Sequence, residues 1–158
     1  MSSRFDHIPA RRAIVDRKAL ADRLAALGQV EADPRPAATA LLKQALADGR
    51  AEIARRLEQK PYAGSEAAAS YAFLTDQILR LAYDFTTAAL YPLSNPTASE
   101  RLLLMAVGGY GRGEMALHSD VDIAFVTPWK PTTWTEQVVE TMLYLLWDLG
   151  LKVGQSTR

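Results

Sequence analysis

A chain of 158 residues with 18 basic and 18 acidic side chains and 49% hydrophobic residues is long enough to bury a core, and its length sets one domain as the starting expectation. Zero net charge gives no global attraction to nucleic acid or to a membrane surface, so neither is expected as a partner and any anion site must be local. The lack of cysteine excludes disulfides, thiolate catalysis and zinc–sulfur sites, and His7 and His118 are too few for a histidine-rich metal site.

The first residues, up to Arg12, contain no apolar signal core, and no run has the length of a membrane span. A cytoplasmic location is the expectation. From Arg11 to Leu27 the apolar positions Ile14, Leu20, Leu24 and Leu27 predict a helix stopped by Gly28. Asp33-Pro34-Arg35-Pro36 breaks the chain. A second helical stretch is predicted over Ala37–Gln59, with Gly49 as a weak point inside it, ended by Lys60-Pro61 because the residue before proline resists helical geometry. Ser65 is placed as the cap of a third helix reaching Tyr91, with Tyr71, Leu74, Ile78, Leu81, Phe85 and Leu90 along one stripe. Pro92, Asn95 and Pro96 then read as a linker.

After Glu100 the pattern changes. Leu102 to Val107 is a continuous apolar run of strand length, the kind expected of a strand buried on both faces. It stops at Gly108-Gly109. A second strand is predicted over Val121–Val126, ended by Pro128. Thr133 with Glu136 forms an expected capping box for a helix through Leu149, which Gly150 terminates. Leu151–Thr157 reads as a third strand. The predicted layout is a helical segment over residues 1–91 followed by an α/β (α+β) core over residues 97–158, with a small mixed sheet covered by helices.

Two signals in the second part carry chemistry. A strand ending in Gly108-Gly109 lets the backbone turn and approach a ligand with no Cβ in the way. A short helix over residues 110–116 would aim its free N–H groups at the same point, which suits a triphosphate, and Arg112 would add a charge-assisted contact. Asp120 and Asp122 are two apart on a predicted strand, so they share a face, and two neighbouring carboxylates need a cation between them. Mg²⁺, with Mn²⁺ as the other candidate, fits all-oxygen ligands and substrate phosphates. Ten residues separate the two signals, enough to turn and return to an adjacent strand. A lone Gly-Gly is an ordinary turn and a lone Asp-x-Asp an ordinary exposed pair; their order and spacing make the combination specific. Ser119 is a candidate for a phosphate contact or for stabilising the turn. Glu114 reads as a surface or structural acid, His118 as a turn residue, the three tryptophans Trp129, Trp134 and Trp147 as packing residues, and Arg11, Arg12, Arg55 and Arg56 as solvated helix faces.

Gly108-Gly109, the spacer and Asp120-Val121-Asp122-Ile123 together resemble the signature of the DNA polymerase β-type nucleotidyltransferase superfamily. The longer string Gly108 to Glu114 with Ser119-Asp120-x-Asp122 is similar to the bacterial PII uridylyltransferase/uridylyl-removing enzymes. That resemblance extends over Leu149–Arg158, where those enzymes usually have His in place of Gln155, and more weakly to Arg12–Asp16. It implies transfer of UMP from UTP to a tyrosine hydroxyl of the PII signal protein, with release of pyrophosphate, in nitrogen signalling. Gly108 and Gly109 would hold the triphosphate, and Asp120 and Asp122 would bind the metal. Glutamine synthetase adenylyltransferases are near relatives that lack the Tyr-Gly-Arg-Gly run. A third carboxylate from a later strand is usual in the superfamily, yet Leu151–Arg158 contains no acid. The histidine–aspartate hydrolase and ligand-sensing domains of the full enzymes are also missing, so the chain is expected to be part of such an enzyme, without the uridylyl-removing activity. The competing expectations are another acceptor for the same chemistry and a non-catalytic nucleotide-binding regulatory module.

Overall fold

A computed structural model describes residues 3–95 and 97–158; Pro96 of the expected linker lies outside the described residues. Four helices come first: α1 (Arg11–Ile14), α2 (Arg17–Val30), α3 (Arg35–Gln59) and α4 (Gly64–Phe85). The helix expected from Arg11 is broken after Ile14. Val15 is extended, and the Asp16 carboxylate caps α2 by accepting from the Ala19 amide at 3.1 Å, which serves an otherwise orphan donor. Gly28 does not stop α2. It lies inside the helix, where a methyl would stand 3.1 Å from the Ala89 Cβ, so its smallness serves packing.

The helix α3 begins two residues before Ala37, with Pro36 in its first turn, and runs unbroken through Gly49. A methyl at Gly49 would come within 2.5 Å of Leu74 on α4 and 3.0 Å of the Ile14 carbonyl, so glycine is what permits the close crossing of these helices. The helix expected to reach Tyr91 ends its α geometry at Phe85 and widens into a π-turn over Thr86–Leu90. There Thr86 and Thr87 hydroxyls donate back to the Ala82 and Tyr83 carbonyls at 2.7 and 2.9 Å, competing with the regular backbone ladder. Arg56 also departs from the expected solvated face: its side chain is only 17% exposed and it pairs with Glu52.

A short 3₁₀ turn (Ala98–Glu100), closed by a Thr97–Glu100 capping box, leads into the sheet. The strands are β1 (Leu103–Ala106), β2 (Val121–Val126) and β3 (Val153–Thr157), in spatial order β1-β2-β3. The pair β1–β2 is antiparallel and β2–β3 parallel, so the sheet is mixed, as expected. After the single turn α5 (Gly108–Gly111), the parallel link is made by α6 (Thr133–Asp148). Thr132, not Thr133, caps α6: its Oγ accepts from the Thr135 amide at 3.2 Å, and Thr132 is still extended, so the helix begins at Thr133, one residue earlier than expected. At the other end Gly150, at φ +83, and Leu151 donate to the Trp147 and Leu146 carbonyls, a Schellman closure. Leu151 is thus used in stopping the helix, and β3 starts at Val153.

Pairing of Leu104 with Phe125 and Ala106 with Ile123 puts Leu104, Ala106, Val121, Ile123 and Phe125 on one sheet face. This face joins the buried cluster that also holds Leu42, Leu74 and Ile78 of the first helices and Met142 and Leu146 of α6. The other face carries Leu103, Met105, Asp122, Ala124 and Val126. Leu103 and Met105 are 56% and 44% exposed, so β1 is not buried on both faces as its composition suggested. It is an edge strand with one open side. Trp129 and Trp147 are likewise exposed, whereas Trp134 packs and donates to the Tyr91 carbonyl at 2.7 Å. Among the described residues no helix is long and apolar enough to cross a membrane.

Candidate active site

The residue after β1, Val107, is extended, and its amide donates to the Asp122 carbonyl at 3.0 Å. The backbone then reverses at Gly108, whose φ of +61 is left-handed and would cost an L side chain about 1–2 kcal/mol. One helical turn, α5 (Gly108–Gly111), follows; the helical segment expected over residues 110–116 is therefore shorter and begins two residues earlier. Gly113, at φ +76, ends it.

The amides of this turn fall into two groups. Those of Gly111, Arg112, Gly113 and Glu114 are satisfied by the carbonyls of Val107, Gly108, Tyr110 and Gly109. Among the described residues, the amides of Gly108, Gly109 and Tyr110 have no acceptor. Orphan N–H groups at the start of a helical turn are donors for an anion. The Arg112 guanidinium stands near the second glycine, its Nη2 3.7 Å from where a Gly109 methyl would be. Its partner is Glu114, at 3.5 Å, and both side chains are about two-thirds exposed. Such a pair is worth only about 0–1 kcal/mol, so Arg112 can leave it for a phosphate at little cost.

Asp122 lies in the middle of the sheet's open face, opposite Gly154 on β3. Its carboxylate fits between two glycines. A methyl on Gly108 would stand 3.1 Å from Oδ2, and one on Gly154 only 2.5 Å from Oδ1. The glycine turn and this carboxylate, 14 positions apart in the chain, are therefore neighbours. Val121 and Ile123, each 1% exposed, face the core, so alternation directs Asp122 to the opposite side. Asp120 is exposed and immediately precedes the strand rather than lying within it. Ser119 is held in the preceding turn, where its Oγ accepts from the Ala116 amide at 2.7 Å. Among the described residues, no group of three or more His, Asp or Glu side chains is gathered for a metal.

Tyr110 is the anchor beneath the turn. It is 3% exposed, and burial, reinforced by Asp76, pushes its hydroxyl well above the usual phenol range, so it stays neutral. With Arg17, Asp76, Arg80 and Tyr83 it lines a cavity of about 380 Å³ between α4 and β1. Gly154 was not singled out by sequence reasoning. Its signal was an isolated glycine inside a strand, which marks close approach of another group.

The chain matches a family described as "Putative nucleotidyltransferase DUF294" over residues 48–156. It is 59% identical over 152 residues to a bifunctional uridylyltransferase/uridylyl-removing enzyme of Novosphingobium aromaticivorans, covering 96% of this chain and 17% of that protein. Proteins of the same name from Erythrobacter litoralis and Rhodospirillum rubrum are each 51% identical, over 96% and 93% of this chain and 16% of their own lengths. The chain thus spans about one-sixth of the length of these relatives. No solved structure matches it.

Proposed function

This chain belongs to the DUF294 nucleotidyltransferase family, and from that premise we propose that it binds UTP and transfers UMP to a tyrosine hydroxyl of the PII signal protein. In this reaction the tyrosine oxygen forms a bond to the α-phosphorus. The bond from that phosphorus to the bridging oxygen breaks, pyrophosphate leaves, and the hydroxyl proton passes to solvent or a base. The observation that carries the reading is the Asp122 carboxylate seated between Gly108 and Gly154, next to a turn whose first three amides have no acceptor among the described residues. A carboxylate and free N–H donors at one place serve opposite charges: a cation on one side and phosphate oxygens on the other.

Gly108 and Gly109 would take the triphosphate through their amides. Arg112 would exchange Glu114 for a phosphate oxygen. Ser119 keeps the turn that delivers Asp120, and its hydroxyl proton is available to a phosphate. Asp120 and Asp122 supply hard oxygen ligands of the type Mg²⁺ or Mn²⁺ prefers. When bound, the metal neutralises the charge of the phosphate tail and of the leaving pyrophosphate. The protein's share is positioning and preorganised charge, which is the usual division in phosphoryl-type transfer. The names of the relatives support UTP as donor; PII is the acceptor that the resemblance of the Gly108–Glu114 string implies.

The test is transfer of label from α-labelled UTP to PII by the intact protein, with Asp120→Asn and Asp122→Asn alongside. Wild-type transfer that both variants lose, while their melting temperatures hold, is the expected result. Equal labelling by all three would defeat the assignment of the aspartates. Labelling from ATP, or of glutamine synthetase in place of PII, would redirect the reading to another nucleotidyltransferase; nucleotide binding without transfer to any acceptor would reduce it to a regulatory module.

A further inference from the structure

Residues 3–10 form a strap that ends on the glycine turn. The strap is firmly held. Phe5 and Ile8 are 6% and 3% exposed, and the Phe5 ring meets Phe73 of α4 edge-on at 5.6 Å. Arg56 donates to the Pro9 and Ala10 carbonyls at 2.6 and 2.9 Å, which secures Ala10 in a left-handed conformation that a non-glycine residue adopts only under constraint. From this base Arg4 crosses to the turn. Its guanidinium stacks 4.6 Å from the centre of the Phe5 ring, and its Nη1 donates to the Gly111 carbonyl at 2.7 Å. The same strap touches the turn a second time: a methyl on Gly113 would lie 4.0 Å from the Phe5 ring edge.

Gly111 is the last residue of α5 and carries one of its unpaired carbonyls. Its amide is already fixed on Val107, and a methyl on its Cα would collide with the Ala106 carbonyl at 2.8 Å. Neighbouring backbone therefore confines Gly111, and Arg4 holds its carbonyl. We propose that Arg4 is a positioning residue for the phosphate-binding turn. By fixing the Gly111 carbonyl it sets the peptide planes that present the Gly108, Gly109 and Tyr110 amides, and it does so without touching the nucleotide. The proposal rests on the reading of this turn as the UTP site. It gives the N-terminal strap, 107 residues away in sequence from Gly111, a role in nucleotide affinity.

The test is calorimetric titration of the full chain with UTP in Mg²⁺, for wild type, Arg4→Met and Arg4→Lys, with thermal melting of each. Methionine keeps bulk over Phe5 but has no donor; lysine restores one. Loosening of the turn predicts about tenfold weaker UTP binding for Arg4→Met and recovery by Arg4→Lys to within about threefold, with a melting temperature of Arg4→Met lowered by no more than a few degrees, because the lost bond is exposed. Wild-type affinity in Arg4→Met overturns the proposal and leaves the nucleotide site standing. A lowered melting temperature with weak binding that lysine fails to rescue also overturns it, since that is general destabilisation. No UTP binding by wild type removes the site itself, and the proposal falls with it; that failure is recognised without any substitution.

Discussion

Gly154→Ala isolates the geometry of Asp122 from its chemistry. Gly154 lies in β3 opposite Asp122. The new methyl would stand 2.5 Å from Asp122 Oδ1, while ordinary contact begins at 3.4 Å, so the carboxylate must yield by about 0.9 Å. The obstacle is the end of a side chain rather than backbone, and the carboxylate will move rather than the sheet. Displacement of a reacting or metal-holding group by about 1 Å costs on the order of a hundredfold in rate. The same substitution removes a glycine from a strand, which contributes about 0.5–1 kcal/mol of stability through the unfolded chain. The two readouts should therefore separate: kcat/KM for UMP transfer by the intact protein falls about a hundredfold, and the melting temperature stays level or rises. Wild-type kcat/KM in the Gly154→Ala protein would refute the reasoning, because the Asp122 carboxylate would then tolerate displacement that no metal ligand tolerates.

Other substitutions probe the scaffold. Gly49→Ala, whose methyl meets Leu74 at 2.5 Å and the Ile14 carbonyl at 3.0 Å, overpacks the α3–α4 crossing. It should cost about 1–3 kcal/mol, read as a lowered denaturant midpoint. Thr132→Ala removes the cap from the Thr135 amide and should cost about 1 kcal/mol in the same assay. Arg55 and Arg56 hold the Glu52 carboxyl at about 2, against an ordinary 4.5. A depressed carboxylate stabilises fully above its unfolded value and loses that contribution as pH falls. Denaturation followed between pH 4.5 and about 2 should therefore show a decline in stability that is smaller in Glu52→Gln.

The parts of this molecule legible in its sequence are those set by near neighbours. The stripe through Leu74, Ile78, Leu81 and Phe85 marked α4, Pro128 and the run Val121–Val126 marked β2, and Gly150 marked the end of α6. The misreadings also have local causes. The apolar period continues across Val15-Asp16 and hides the break there, which the Asp16 side chain makes by taking the Ala19 amide. Leu102–Val107 looked buried because composition cannot distinguish a central strand from an edge strand; pairing decides that. By sequence Gly28 resembles a helix stop and Gly49 a weak point, because sequence shows a missing side chain but not the Ala89 or Leu74 that fills its space.

The sequence by itself determined the mixed α/β class, the family and the two signals, a glycine turn after a strand and an Asp-x-Asp at the start of the next. Each depends on hydrophobic period, backbone conformational freedom or residue order, which act within a few positions. Only the tertiary structure decided that Asp122 sits between Gly108 and Gly154, that Arg4 reaches Gly111, and that one sheet face stays open. Those contacts join residues far apart in the chain. They exist because burial of one apolar face fixes the register of three strands, and register, not composition, determines which backbone lies beside which carboxylate.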